Sequence, residues 1–385
     1  MKIISYLSLF LLVFDLHFPY LKGVGSAPFS ALLSFLCLVF TGSKSRTKDI
    51  IRQYRYIIFS FLLMFLYVFI RIALDIFYDV TYLGSLIRVL VILFASILYL
   101  CTFNNDNLAN KLINIFFINS IVSLFVGTYT EYQEVINIFK DSSSIELIGY
   151  TTYRNSFLSG SGYFGIGAAY GLFLSFFISY FYENRKSLGN FILIKLFLIF
   201  IAGVFAARTV FFCVALSIFY LLFIKRRLSI IFLCLIVVLV GAFLLDLEMF
   251  SPHKAWLLEF FQHGTDTASL RSLLDAESSK FPDNAITLLF GDGRYYYDDG
   301  SYYMHTDIGY LRNIFFGGIF LIIFIISILL ILSLYSNSIM YLVLILPVCL
   351  LLHYKGVFMY NNPACVPLLI FIAYILRNSR KENNT

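Results

Sequence analysis

The segment MHTDIGYLRN, residues 304–313, places ionisable side chains of different chemistry directly before a long apolar run. His305 carries an imidazole, the side chain best suited to exchange a proton near neutral pH. Arg312 carries a guanidinium, whose planar fork matches phosphate oxygens. Between them, Thr306 or Asp307 would be a good N-cap for the following helix. If that helix starts early, His305 and Arg312 share one of its faces, and the pattern favours proton transfer next to a phosphate.

Further basic residues stand near the ends of apolar runs or in the loops between them, namely Arg154, Arg208, Arg271 and Lys355. A basic side chain at membrane depth is costly unless it faces a polar cavity or a bound anion. Converging cations therefore indicate a phosphate-bearing ligand. Structural interpretations stay open beside this one: Arg208 could extend to the membrane surface, Arg271 could be a solvated residue of an amphipathic helix, and Asp307 could serve only as a cap.

The stretch GDGRYYYDDGSYYMH, residues 291–305, contains five tyrosines within nine positions. Tyrosine is common at membrane interfaces without any ligand. Aromatic faces mixed with carboxylates also suit sugars, so Tyr302 and Tyr303 are candidate sugar-binding residues. Asp298 and Asp299 are adjacent rather than spaced to share an ion, and we predict neither a metal nor a cofactor.

The composition is that of a membrane protein. Hydrophobic residues make up 60% and charged residues 13% of the 385 positions, about half the charged fraction of a soluble domain, and the mean hydropathy is +0.87. Apolar runs of about 17 to 25 residues recur without the alternation of barrel strands, which predicts an all-helical, polytopic protein. The net charge of +6 does not indicate nucleic acid. The six cysteines lie in apolar runs without a CxxC pair, so neither a disulfide framework nor a zinc site is predicted.

Run lengths predict about twelve transmembrane helices. They lie near residues 3–21, 28–43, 56–75, 83–103, 111–128, 157–182, 190–206, 209–224, 228–247, 308–333, 337–353 and 361–377. The chain thus divides into nine helices in 1–247, a large loop in 248–306, and three helices with a tail in 307–385.

The distribution of Lys and Arg predicts the orientation of these helices. With an even number of spans, the basic segments share one side with both termini, which assigns that side to the cytoplasm; they are 44–55, 183–187, 225–227 and 377–385. The opposite, periplasmic side carries the loop 129–156, the turn at Arg208 and the loop 248–306. Within the large loop, amphipathic patterns predict short helices that begin at Ser251 and Thr267.

The motifs resemble those of a known family. RTVFF at 208–212, LRSLL followed by LLFGDG in the large loop, and HTDIGYLRNIFFGG at 305–318 are similar to the Wzy-type O-antigen polymerases. These form one superfamily of multispan glycosyltransferases with the O-antigen ligases. Arg154 followed by Gly165 fits the family's pattern of Arg, ten residues and Gly. The second copy of this pattern is absent, because the corresponding position after Arg271 is Pro282.

The resemblance implies a GT-C-like fold in the bacterial inner membrane and a reaction at the periplasmic face without metal or nucleotide sugar. The enzyme would move a glycan from undecaprenyl diphosphate onto a lipid-linked repeat unit. Its partners would be that lipid-linked oligosaccharide and membrane lipid, with room for a chain-length regulator protein. The resemblance implies that Arg154, Arg208 and Arg271 hold the diphosphates and that His305 is the base or an orienting group for the acceptor hydroxyl. From this and the residue types described above, we predict catalytic roles for Arg208, Arg271 and His305. We predict substrate-binding roles for Arg154, Arg312, Asp307, Lys355, Tyr302 and Tyr303.

Two alternatives share these sequence features. An O-antigen ligase would have the same spans and pass the chain to the lipid A core instead. A flippase or other transporter of lipid-linked oligosaccharide would be expected to show inverted repeats and broken helices with charges near the midplane. The sequence shows no internal repeat, and its charges cluster toward one face, with Arg71 and Asp75 near the same outer side.

Overall fold

The computed structural model describes residues 1–18, 24–42, 44–74, 80–103, 107–140, 152–160, 162–184, 190–227, 280–297, 300–359 and 362–384. Across these ranges the chain is helical and forms no β-strand. Short backbone bridges join His17 to Gly25 and Tyr296 to Tyr302.

The helices are numbered in chain order. They are α1 (Lys2–Phe14), α2 (Ala27–Thr41), α3 (Lys44–Leu74), α4 (Val80–Thr102), α5 (Leu108–Thr128), α6 (Gln133–Asn137), α7 (Tyr163–Asn184), α8 (Asn190–Ala206), α9 (Thr209–Phe219), α10 (Ala285–Phe290), α11 (Gly309–Ser336), α12 (Leu346–Lys355) and α13 (Cys365–Asn384). The 3₁₀ turns are Thr130–Tyr132, Thr152–Asn155 and Tyr303–His305. A π turn at Tyr220–Ile224 extends α9, and another at Tyr341–Ile345 precedes α12.

The predicted all-helical, membrane-embedded architecture is confirmed. Five described helices are long and apolar enough to cross a bilayer: Ser45–Leu74, Tyr82–Thr102, Leu108–Thr128, Phe164–Glu183 and Gly309–Ser336. Shorter apolar helices cover the other predicted spans that fall in the described ranges. The predicted span 228–247, the loop up to residue 279 with its two short helices, and Arg271 lie outside the described residues. The number of twelve spans therefore stays a prediction.

The first predicted span, 3–21, is shorter in the structure because α1 ends at Phe14. Asp15 follows in the left-handed conformation with φ 41°. Its carboxylate accepts a hydrogen bond from the Ala27 N–H at 2.8 Å and forms an ion pair with Arg88 at 2.5 Å. A buried carboxylate needs such partners, and they hold Asp15 to the start of α2 and to α4 instead of letting α1 continue.

Two basic segments that were predicted to be loops are helical. Residues 44–55 form the first turns of α3, and the tail from 377 continues α13 to Asn384. Arginine and lysine are good helix formers, so a basic segment at the membrane boundary can extend the apolar helix it flanks.

The helix α11 is broken in its middle. Gly318 has φ 64° and ψ −168°, outside the helical region, and separates two half-helices. A side chain on Gly318 would lie 2.1 Å from the carbonyl oxygen of Leu289. The break therefore lies where the end of α10 and the loop that follows it cross α11 in contact with its backbone.

The crossing loop satisfies the backbone groups that the break frees. The Asp292 N–H donates to the Phe315 carbonyl at 2.5 Å, and the next N–H donates to the following carbonyl at 3.0 Å. The Tyr67 hydroxyl donates to the Gly317 carbonyl at 2.5 Å. Free carbonyl groups in a bilayer cost several kcal/mol each, so these contacts allow α11 to be discontinuous.

The helices pack around one large apolar core, and a small second apolar cluster lies at the start of α11. The main helix pairs are α2–α4, α3–α4, α5–α8, α7–α9 and α3–α11, while α13 packs on α4 and α11. Small polar residues join several pairs. Ser8 contacts Ser30 at 2.8 Å between α1 and α2, and Ser179 contacts Ser217 at 2.7 Å between α7 and α9. Such contacts are typical of helix association in membranes.

The bundle has two distinct ends. The starts of α1, α3 and α5 and the end of α13 lie together at the end that we call the termini end, where Lys111 contacts Ser5 and Tyr335 contacts Gln53. The end of α1 and the starts of α9 and α11 lie at the other end, which we call the site end.

We expect Gly318→Ala to destabilise the protein by about 1 to 3 kcal/mol. The alanine backbone would have to keep a positive φ, and its methyl group would meet the backbone of Leu289. SDS titration of the purified protein measures this change. The matched control is Gly84→Ala in α4, where the added methyl group meets no atom within 4 Å and helix propensity should add about 0.5 to 1 kcal/mol. An unchanged stability of Gly318→Ala would show that the break is not required.

Candidate functional site

Cationic residues from three parts of the chain converge at the site end. Lys355 interacts electrostatically with Asp307, Arg208 and Arg154. The three cations are half-buried and the carboxylate is exposed. We call these four residues the cationic cluster. Three cations thus lie near one another, and such a group of basic side chains can bind an anion.

Three helix ends position the members of the cluster. Arg154 lies in the 3₁₀ turn Thr152–Asn155, and its Nε donates to the carbonyl of Ala206, the last residue of α8, at 3.2 Å. Arg208 is the N-cap residue of α9, and Lys355 is the last residue of α12. Long basic side chains at helix ends can reach one another here because the ends meet at the same level of the bundle.

A close backbone contact brings Asp307 to the same place. A side chain on Gly309 would lie 2.1 Å from the His353 carbonyl oxygen and 2.6 Å from the Gly356 carbonyl group. The start of α11 therefore lies directly against the end of α12. Since Asp307 is two residues before Gly309, it is held beside Lys355.

A buried hydrogen bond joins the same two helices, and sequence reasoning missed it. The Asn313 amide and His353 Nε2 are 2.6 Å apart, and the Phe358 N–H donates to His353 Nδ1 at 3.3 Å. Both side chains are at most 1% exposed. Two polar residues in otherwise apolar helices were the available signal. His353 lies two residues before Lys355, so this bond also fixes the cationic cluster.

Arg312 is buried among tyrosines. Its guanidinium carbon lies 3.4 Å from the ring centre of Tyr302 and 4.6 Å from that of Tyr295. The side chain is 7% exposed, and its Nε and Nη2 have no hydrogen-bond partner among the described residues. Tyr302, a predicted sugar-binding residue, therefore contacts Arg312 through its ring.

The predicted N-cap of α11 is wrong, and the early helix start that would put His305 and Arg312 on one face does not occur. The helix begins at Gly309 with Ile308 as N-cap, so neither Thr306 nor Asp307 caps it. The Thr306 hydroxyl instead accepts from the Ile308 N–H at 3.2 Å. His305 lies in the preceding 3₁₀ turn with φ 48° and does not share a helical face with Arg312.

His305 nevertheless belongs to the site end. Its side chain is exposed, and its ring centre lies 5.1 Å from that of Tyr297. Because His305 is two residues from Asp307, the Cα atoms of these two residues lie within about 7 Å of each other. An exposed imidazole there can reach a ligand held by the cluster.

Tyr303, the second predicted sugar-binding residue, supports the tyrosine-rich loop. Its hydroxyl donates to Asp292 at 3.3 Å, and Asp292 also accepts from Thr287 at 2.6 Å. Burial, and then the Asp292 carboxylate, raise the pKa of Tyr303 to about 12. Arg294 lies over the rings of Tyr297 and Tyr303 at 5.2 Å and 6.0 Å. Arg294 is thus a further cation near His305, which the sequence motifs had not singled out.

The loop that carries these residues is attached to the bundle through the break in α11. Arg71, near the end of α3, donates to the Gly291 carbonyl at 2.9 Å. Tyr295 packs against Tyr82 of α4 with ring centres 4.7 Å apart. The motif LLFGDGRYYY therefore holds the tyrosine-rich loop to α3, α4 and α11, and so positions the residues that cover Arg312.

A polar network holds the turn that contains Arg154. The carbonyl of Asn155 accepts hydrogen bonds from Gln133 at 2.6 Å and from the Lys140 ammonium at short range. Burial lowers the pKa of Lys140 to about 7. Gln133 also accepts from Ser156 at 3.3 Å. These residues had not been predicted, because nothing in the sequence indicates that Lys140 is buried.

The arrangement can bind an anion at the cationic cluster and present it to His305 and the tyrosine-rich loop. Of the predicted site residues, the structure brings Arg154, Arg208, Asp307 and Lys355 together, and places Arg312 with Tyr302 beside them. No protein-family model, curated protein or solved structure matches this chain.

The buried ammonium of Lys140 predicts a pH-dependent stability. Its pKa in the folded protein is about 7, and unfolding restores the ordinary value of 10.5. Between these values the unfolded chain binds more protons, so this residue makes the free energy of unfolding increase as the pH rises from 7 to 10.5. We expect Lys140→Met to lose that increase, as measured by SDS titration at several pH values.

The matched control is Lys280→Met, which removes a side chain that is 61% exposed. The difference in free energy of unfolding between this variant and the unmodified protein should not change between pH 7 and pH 10.5. A pH-independent difference for Lys140→Met as well would contradict the burial of a titrating ammonium.

Proposed function

We propose that this protein is a membrane glycosyltransferase of the O-antigen polymerase type. It transfers a glycan from undecaprenyl diphosphate to the hydroxyl of a second lipid-linked repeat unit at the periplasmic face of the bacterial inner membrane. In this proposal both termini face the cytoplasm, and the site end faces the periplasm. The observation that carries the proposal is the convergence of Arg154, Arg208 and Lys355 on one place beside Asp307.

The cationic cluster suits a diphosphate because of its charge and its composition. A diphosphate bridges several cations at once, and guanidinium groups bind its oxygens in pairs. The half-buried position excludes part of the bulk water, which strengthens each charge interaction. A lipid carrier would enter such a site from the membrane while its phosphates stay at the boundary.

The reaction needs positioning and fixed positive charge. The acceptor oxygen bonds to the anomeric carbon while the bond from that carbon to the diphosphate oxygen breaks. The electron pair of that bond goes to the diphosphate, where Arg154, Arg208 and Lys355 stabilise the growing negative charge. The hydroxyl proton passes to His305, which is exposed and close along the chain to the cluster. Tyrosine rings of the loop offer surfaces for the sugar.

One structural feature favours the second candidate, a transporter of lipid-linked oligosaccharide. Discontinuous helices are common in transporters, and α11 is broken at Gly318. The break is filled by the loop after α10, however, and its carbonyls are bonded to Asp292, Gly293 and Tyr67. The break in α11 thus holds the loop to the helix and leaves these carbonyls bonded to protein rather than to a substrate. This use of the break favours the transferase over the transporter.

We expect Arg208→Ala to lower the rate of glycan transfer about 10²- to 10³-fold, the usual loss when a group that stabilises the developing charge is removed. Arg208→Lys should restore only part of it, since lysine lacks the planar fork. The assay uses the full-length protein in vesicles with lipid-linked repeat units, and product length is read on a gel. Normal ladders from Arg208→Ala would contradict the proposal.

The matched control is Arg52→Ala, which removes an exposed arginine at the termini end and should leave the ladder unchanged. Labelling of cysteines introduced at 225–227 and 285–297 tests the orientation of the same preparation. Adding lipid A core as the acceptor distinguishes ligase from polymerase. Movement of lipid-linked repeat units across the membrane without chain growth would identify a transporter.

His305→Ala should lower the transfer rate about 10²- to 10⁴-fold, the range for loss of a general base. The sharper comparison is His305→Gln, because glutamine can orient a hydroxyl but cannot accept its proton at neutral pH. We expect this variant to be as slow as the alanine variant in the same vesicle assay. Restoration of a normal ladder by glutamine would assign His305 an orienting role.

A further inference from the structure

A cavity lies at the termini end of the bundle, at the opposite end from the cationic cluster. Its volume is about 690 Å³, within the range of ligand pockets. The starts of α1, α3 and α5 and the end of α4 form its walls, and the buried side chains of Ser5 and Thr102 lie on its surface. We call it the termini cavity.

The charges around the termini cavity have one sign. Lys2, Arg46 and Lys111 line it, and no carboxylate is among its described lining residues. The Lys111 ammonium donates to the Ser5 hydroxyl at 2.9 Å, and the Arg46 guanidinium is near enough to Cys101 to act on it electrostatically. Two of the three cations are therefore directed toward the bundle.

The backbone adds to this positive potential. Lys2 and Arg46 lie in the first turns of α1 and α3, and Lys111 is the fourth residue of α5. The first turns of these helices contain no acidic residue. Helix starts carry a partial positive charge, so together with these side chains they would stabilise an anion in the cavity.

The general excess of basic residues on the cytoplasmic side explains the exposed cations of this end. It explains Lys48 and Arg52, which lie on the outer surface of α3 and do not line the cavity. It does not explain why cations and polar groups surround a cavity that reaches a buried serine and threonine. A basic pocket between transmembrane helices is a known form of lipid-headgroup site.

We propose that the termini cavity binds a phosphate-bearing group, held by Lys2, Arg46 and Lys111 with hydrogen bonds from Ser5 and Asn107. The chemistry is shared by an anionic phospholipid headgroup and by a soluble phosphate compound. Because the cavity contains no residue of the cationic cluster, this site is independent of the proposed glycan transfer.

The test compares thermal unfolding of the full-length protein in neutral phosphatidylcholine nanodiscs with three additions. Phosphatidylglycerol in the nanodisc probes the headgroup source, while glycerol 1-phosphate and inorganic phosphate probe the soluble source. A ligand that binds only the folded protein raises the unfolding temperature, and the rise increases with the ratio of ligand concentration to Kd. We expect a rise with at least one of the phosphate probes.

The decisive variants are Lys2→Gln/Arg46→Gln and the matched pair Lys48→Gln/Arg52→Gln, which loses the same charge from the same end. The cavity pair should weaken the apparent affinity about 5-fold for each cation removed, as expected from about 1 kcal/mol for each basic residue at a membrane surface. The control pair should respond as the unmodified protein does. Unfolding in phosphatidylcholine alone checks that each double variant folds. If one of them does not fold, the single variants Arg46→Gln and Lys48→Gln are compared instead.

Each outcome decides the proposal. A rise with phosphatidylglycerol that the cavity pair loses supports a lipid headgroup, and the same result with glycerol 1-phosphate or inorganic phosphate alone supports a soluble ligand. Equal responses of the cavity and control pairs would show that only surface charge acts and would overturn the site. The absence of any rise would overturn it as well.

Discussion

The site end depends on how the backbone groups of α11 are satisfied at Gly318. A break in a membrane-spanning helix frees carbonyl groups that water cannot reach, and the cost is several kcal/mol for each. The loop after α10 supplies the missing donors through Asp292 and the residue that follows it. This requirement fixes the loop against α11, and the tyrosines that follow along the chain are then in place to surround Arg312.

The charges of the site are supported by the same contacts. Asp307 reaches Lys355 because Gly309 allows α11 to touch the end of α12, and the buried pair of Asn313 and His353 keeps those helices aligned. On the other side, the network around the Asn155 carbonyl fixes the turn that carries Arg154. Neutral hydrogen bonds thus fix the segments that carry these like charges, and Asp307 is a carboxylate that lies among them.

Much of the fold follows from local sequence properties. Hydropathy is a property of consecutive residues, so the helix positions could be predicted from run length alone, and the basic residues that meet near Lys355 could be recognised by their position at helix ends. The end of α1 could not be predicted, because it depends on an ion pair between Asp15 and Arg88, which are far apart in the chain.

The start of α11 shows the same limit. Local capping rules favour Thr306 or Asp307 as the N-cap. The helix begins instead at Gly309, where α11 contacts the end of α12. His305 consequently lies in a turn of its own, and its relation to Arg312 could not be read from their spacing. The break at Gly318 had a visible signal in FFGG, but its partner loop is identified only by the three-dimensional structure.

The environment of Arg312 connects these features. A buried guanidinium is usually paired with a carboxylate, which would neutralise it. Tyr302 and Tyr295 instead contact it with their ring faces, and cation–π contacts stabilise a charge without cancelling it. Arg312 therefore remains a positive charge inside the bundle. Its neighbour Asn313 is bonded to His353, which lies two residues from Lys355, so the tyrosine-rich loop keeps a buried positive charge stable near the cationic cluster.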